Sequence, residues 1–270
     1  MLIYVATYPR CGNAFLRDHI AVNFRLLTAN GYPSDDRFPD NWNIEPPPEG
    51  EILQTYAHPE MKRREQLLPH GALPLLTSEL RKELAASPNR ILVKTHELPP
   101  TDVFPGEMAV QFVRHPGAAV VSYWRLLTGK ARPKQITLDD VIEGRCQFGD
   151  WSDYHLAWDE TAMPVMRLRY EDALADPPMA IRALAEFLGV TAPPRPKLVA
   201  IKDARARNPL RNPGEGLDGW RRYASLQQKR RIWQRHGTLA YRYGYTPFPG
   251  ARSVRGFTRP GDARPAAMQA

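Results

Sequence analysis

Three features of this 270-residue chain predict an α/β fold, a three-layer α/β/α sandwich whose central parallel sheet is flanked by helices. Short apolar, β-branched runs recur along it, at Leu2–Thr7, Arg90–Lys94, Met108–Val113 and Val165–Leu168. Stretches of helical periodicity separate them, which gives the alternation that buries a parallel sheet between helices. A hydrophobic content of 43% is enough for a real core.

Taken in order, the first run is a buried strand that passes through Tyr8-Pro9-Arg10-Cys11-Gly12 into a helix from Asn13 to about Leu27, with Phe15, Leu16, Ile20, Phe24 and Leu27 near helical spacing. Gly31 to Gly50 is rich in Pro and Asp, long for a connection, and reads as a lid or surface excursion. Met61–Leu68 and Ser78–Ala86 read as short helices, the second with Ser78 as cap and Pro88 beyond its end. The second strand runs into Thr95-His96-Glu97, and the third into Arg114-His115-Pro116-Gly117 and a helix from about Ala118 to Leu127. Thr137 caps another helix, and 150–160 is aromatic-rich through Trp151, Tyr154 and Trp158. The fourth strand leads into Arg169-Tyr170-Glu171-Asp172, followed by an amphipathic helix from Met179 to Leu188 closed by Gly189. A basic helix over 197–207, a Gly/Pro loop over 208–219 and a last helix from Leu226 to Tyr241 complete the pattern. Residues 1–246 are read as one domain, and the Pro/Gly/Arg-rich tail 247–270 is expected to be poorly ordered.

The net charge of +8 is carried mostly by Arg, which favours phosphates, sulfates, nucleic acid or an anionic surface without choosing among them. Two cysteines, Cys11 and Cys146, are too few for a disulfide framework, so a reducing compartment is the default. A strand beginning at residue 2 leaves no room for a signal peptide, and no apolar run reaches spanning length; a cytoplasmic chain is expected.

The first strand-turn-helix leaves the helix's first N–H groups facing the turn, which makes an anion site, and Arg10 and Arg17 add charge there. Every strand ends in a polar cluster: Arg10, Lys94/His96, Arg114 and Arg169/Tyr170. In a parallel sheet these carboxyl ends converge, so a multiply anionic ligand is expected. The turn lacks a Gly-Lys-Ser/Thr ending, and no strand-end Asp stands ready for magnesium, so no metal site is expected. Cys11 and Arg17 have the Cys-x5-Arg spacing of thiolate phosphatases, which keeps that chemistry open. An Arg-rich module for nucleic acid or another polyanion is a further alternative, disfavoured because the cations gather at strand ends rather than along one helix among aromatics.

Four motifs occur in order: Tyr-Pro-Arg-Cys-Gly-Asn-Ala-Phe-Leu, Leu-Val-Lys-Thr-His, Phe-Val-Arg-His-Pro followed by Val-Ser-Tyr-Trp, and Arg-Tyr-Glu-Asp-Ala-Leu-Ala-Asp-Pro. Together they resemble the PAPS-dependent sulfotransferase family over about residues 1–30 and 90–240. The resemblance implies a P-loop-like domain that binds 3′-phosphoadenosine-5′-phosphosulfate (PAPS). It implies transfer of the sulfuryl group to an acceptor hydroxyl or amine without metal, with 3′-phosphoadenosine-5′-phosphate (PAP) as product. It also implies a small-molecule, glycan or lipid acceptor and no nucleic-acid partner. The sequence sets neither the acceptor nor the oligomeric state.

Carried over position by position, the resemblance implies that Arg10, Cys11, Gly12, Asn13, Ala14 and Phe15 hold the 5′-phosphosulfate, with Phe15 stacking on adenine. Arg114 and Ser122 are expected on the 3′-phosphate, Tyr170 at the adenine, His96 as proton acceptor and Lys94 as transition-state cation. Arg10 stands where the family usually has Lys, and Cys11 and Ala14 replace Ser and Thr, which shifts work to the backbone N–H groups. Arg211 is the expected 3′-phosphate ligand of a loop two residues longer than the family's. Acceptor contacts are expected from insertions at about 31–75 and 129–160, including the aromatic run Trp151–Trp158.

Overall fold

In the computed structural model the described residues are 1–26, 28–29, 78–129, 136–198 and 216–247. The sheet holds strands β1 (Leu2–Thr7), β2 (Thr28–Ala29), β3 (Ile91–Thr95), β4 (Glu107–Val113) and β5 (Val165–Arg169), ordered β2-β3-β1-β4-β5. Every pairing is parallel, and β1 lies between β3 and β4 with Ala6 opposite Thr95 and Thr7 opposite Phe112.

Strand periodicity splits the core in two. Leu2, Tyr4 and Ala6 face a cluster shared with α3 (Pro116–Thr128), α5 (Trp151–Glu160) and α8 (Leu226–Arg242), with α2 (Ser78–Ala86) at its border. Ile3 and Val5 face the other way, into a cluster with Leu16 and Ile20 of α1 (Asn13–Phe24) and Ile181, Leu184 and Leu188 of α7 (Pro177–Leu188). The remaining helices are α4 (Leu138–Ile142) and α6 (Tyr170–Ala175), with a 3-10 turn at Gly219–Arg222.

Several element ends differ from expectation, each for a local reason. Helix α1 stops at Phe24 rather than near Leu27 because Arg25 enters the left-handed region (φ 56°) and its N–H closes on the Ala21 carbonyl. Helix α3 begins at Pro116, two residues early. Pro occupies the first turn, where its missing N–H is not needed, and the His115 ring accepts the Gly117 N–H as cap. Asp176 likewise caps α7 through the Met179 N–H. Strand β2 and helix α6 are additions to the expected pattern, both too short to carry a periodic signal.

The aromatic run of α5 was expected to face the acceptor, and its rings instead fill the core. Trp151 and Trp158 are 0% exposed and Tyr154 1%. Trp158 packs on Tyr4, Tyr154 packs on Tyr8, and Trp151 sits edge-on to His155. The expected helices at 61–68 and 197–207, the 31–75 insertion, most of the 208–219 loop and nearly all of the 247–270 tail lie outside the described residues. Among the described residues no helix is long and apolar enough to cross a membrane.

Candidate active site

The turn after β1 is shaped by two left-handed residues, Arg10 (φ 69°) and Gly12 (φ 100°), and closed by the Cys11 N–H to the Tyr8 carbonyl at 3.1 Å. Gly12 is the N-cap of α1 and offers no side-chain cap, so the helix's first N–H groups and its positive dipole end face the turn. A Cβ at Gly12 would overlap the Tyr170 ring and crowd Phe112, so glycine is required for both backbone shape and space.

Five of the expected residues meet across this turn. Arg10 donates from Nε to Ser122 Oγ at 3.0 Å, and Arg114 donates from Nη1 to the Arg10 carbonyl at 3.0 Å. The Arg114 guanidinium lies over the Tyr170 ring, 4.9 Å from its centroid. Tyr170 in turn meets Phe15 edge-on at 5.8 Å, and both rings adjoin Phe112. The cations of β1 and β4, the α3 hydroxyl and the aromatic pair thus surround one small region at the carboxyl edge of the sheet. Ala14 follows in the first turn of α1, half-buried. Arg211 lies outside the described residues.

Lys94 and His96 occupy the neighbouring strand end. The parallel register sets the start of the loop after β3 beside the end of β1. His96 Nδ1 lies 2.5 Å from the Thr7 carbonyl, so Nδ1–H is the donor and Nε2 is the ring's acceptor nitrogen. Phe148 packs edge-on against the ring at 5.4 Å. Burial pushes the His96 pKa down to about 3, helped by the cations Lys94, Arg17 and Arg10 and opposed by the Thr7 hydrogen bond. The imidazole is therefore neutral at pH 7. Lys94 is buried at the same edge.

Asn13 directs its side chain away from the anion site. Its amide turns back from the turn to Thr7 Oγ1 at 3.1 Å and the Val5 carbonyl at 3.4 Å, while Arg17 Nη1 donates to its Oδ1 at 3.4 Å. Only its backbone N–H can serve the anion site. Thr7 and Arg17 are thereby part of the surroundings of His96, a placement the motifs did not reveal. It follows from the strand register, which pairs Ala6 with Thr95 and so sets Thr7 beside His96.

Cys11 is fully buried, and burial pushes its thiol up to about 12. A thiolate nucleophile needs the opposite shift and access to solvent. The Cys-x5-Arg spacing is thus a coincidence of the turn, with Cys11 serving as a small apolar plug.

A family model described as "Sulfotransferase domain" matches residues 2–212. Cytosolic sulfotransferase 5 of Arabidopsis thaliana is 28% identical over 204 residues, covering 69% of this chain and 56% of that protein, so the match spans little more than half of that relative's length. Among solved structures, a mouse sulfotransferase complexed with PAP is similar at TM-score 0.57 and 16% identity, covering 89% of this chain and 87% of the other. A retinol dehydratase in complex with androsterone and inactive cofactor PAP is similar at TM-score 0.55 and 18% identity, covering 88% and 80%. At such identities the structural likenesses establish the fold, a P-loop-like parallel sheet between helices. The family match takes in the β1 turn, both basic strand ends and the Tyr170 helix, and on that match the chain belongs to the sulfotransferase family.

Proposed function

We propose that this chain transfers the sulfuryl group of PAPS to the hydroxyl or amine of a small-molecule, glycan or lipid acceptor, with His96 as general base. The observation that carries this reading is His96 held neutral, with Nε2 as its acceptor nitrogen, beside Lys94 and next to the anion-binding turn. Support for the nucleotide comes from the fit of the residues present. The uncapped N-terminus of α1, Arg10 and Lys94 suit a phosphosulfate, Arg114 and Ser122 a second phosphate, and Phe15 and Tyr170 a purine. PAPS supplies an activated sulfur–oxygen bond.

In the proposed step the acceptor oxygen or nitrogen forms a bond to sulfur as the bond from sulfur to the 5′-phosphate oxygen breaks. The acceptor's proton passes to His96 Nε2. Arg10 and the N–H groups of α1 stabilise the charge gathering on the leaving phosphate, and Lys94 neutralises the moving sulfuryl oxygens. Arg10 acts through charge and hydrogen bonds, since a guanidinium does not give up its proton. The buried Cys11 thiol speaks against the phosphatase alternative, and no observation favours a nucleic-acid module.

Replacing His96 by Ala tests the base. Nucleotide affinity is expected to stay near wild type, while turnover falls by about 100-fold or more, the usual worth of a general base. Turnover that survives in His96→Ala would remove the base assignment and leave the nucleotide site standing.

A further inference from the structure

We propose that Glu171 and Tyr245, which do not face the anion site, are positioning residues for recognition of the nucleotide's 3′-phosphate. They hold the Arg114–His115 corner from behind and couple it to the chain that follows α8. The inference rests on the nucleotide reading above and adds the residues that aim its arginine.

The His115 N–H donates to Glu171 Oε1 at 3.0 Å, and the Tyr245 hydroxyl lies 2.7 Å from Glu171 Oε2 and 2.9 Å from the Val113 carbonyl. On the other side, Trp151 Nε1–H donates to the Arg114 carbonyl at 3.1 Å. The backbone on both sides of Arg114 is thus tied down, and its guanidinium projects forward to the Arg10 carbonyl and the Tyr170 ring. Glu171 directly follows Tyr170, so one turn of chain presents a ring to the front and a carboxylate to the back. The His115 ring fixes the same corner, 5.3 Å from Trp220 and 5.7 Å from Trp233, with Tyr245 edge-on at 5.6 Å.

A carboxylate this close to an anion site repels the ligand unless donors hold it away. Here two donors do so, and the same bonds brace Arg114. Arginine recognises phosphate through a planar fork, so a tilt of its backbone weakens the phosphate contact more than contacts made elsewhere on the nucleotide.

The test is calorimetric titration of the full chain with PAP and with adenosine 5′-monophosphate, which lacks the 3′-phosphate. Wild type is expected to prefer PAP. Tyr245→Phe is expected to weaken PAP roughly tenfold, while the monophosphate changes by no more than about twofold. Glu171→Gln, whose amide oxygen still accepts the His115 N–H, is expected to lose about threefold on PAP. It carries the test if thermal unfolding shows that Tyr245→Phe does not fold. An unchanged PAP-to-monophosphate ratio in the folded variants, or equal weakening of both nucleotides, overturns the proposal. A wild-type chain without preference for PAP instead brings down the nucleotide reading itself, and this inference with it.

Discussion

Gly12 lies where backbone, aromatic packing and ligand chemistry meet. Its φ of 100° is a region that L side chains rarely adopt, and Tyr170 and Phe112 close over the space a Cβ would fill. Gly12→Ala is therefore expected to destabilise the chain by about 3 kcal/mol, from left-handed strain and overpacking together. Urea denaturation checks it, and a change below about 1 kcal/mol would mean that the turn relaxes easily. At this scale the sequence was legible where polar residues interrupt apolar runs: Arg10, Lys94, His96 and Arg114 all announced themselves in that way. The Asn13 amide and the Thr7 carbonyl did not, because their roles depend on a rotamer and on strand register. Cys11 misled by spacing alone. Its burial, a property of the whole core, decides its chemistry.

Among elements, the sheet's far end is secured by a buried ion pair. Arg81 of α2 donates from Nε and Nη2 to the two oxygens of Glu107 at 2.9 and 2.8 Å, and the Tyr4 hydroxyl donates to the same carboxylate at 2.6 Å. Glu107 begins β4, so the pair ties a surface helix to the strand that carries Arg114 at its other end. Removing one partner of a buried pair strands the other charge. Arg81→Met is thus expected to lose about 3–5 kcal/mol on unfolding, while the folded fraction keeps its nucleotide affinity. A loss under about 1 kcal/mol by chemical denaturation would show that the carboxylate finds another partner. Most elements were legible because each strand is a short apolar run and most helices carry a cap or a proline at the start. Strand β2 and helix α6 fell below the length at which a period can be seen. The α5 aromatics were readable as a cluster, but only packing shows that they turn inward.

For the whole molecule, two apolar layers enclose the sheet, and several histidines are buried within or beside them. His155 is 0% exposed with both ring nitrogens unpaired among the described residues, and burial holds its pKa well below the ordinary 6.5. Burial likewise lowers His115 to about 4 and lowers His236. Below pH 6.5 the unfolded chain takes protons on these rings that the folded chain does not. The unfolded state is favoured accordingly, and stability is lost as pH falls from about 6.5 toward about 4. The slope is up to about 1.4 kcal/mol per pH unit for each histidine. Urea midpoints at several pH values across this window check it, and a flat profile would mean that the rings take up protons as readily in the fold as in the unfolded chain.

The carboxyl edge of the sheet gathers the cations of three strand ends, and the central claim is that they accommodate an adenosine bearing two phosphates. Calorimetric titration with PAP, set beside ATP and inorganic sulfate, tests that claim most directly. The expected result is a saturable heat for PAP, with weaker binding of ATP and none of sulfate alone. The absence of heat with PAP at about 1 mM, a level at which even a −4.1 kcal/mol interaction would be half-saturated, would contradict it.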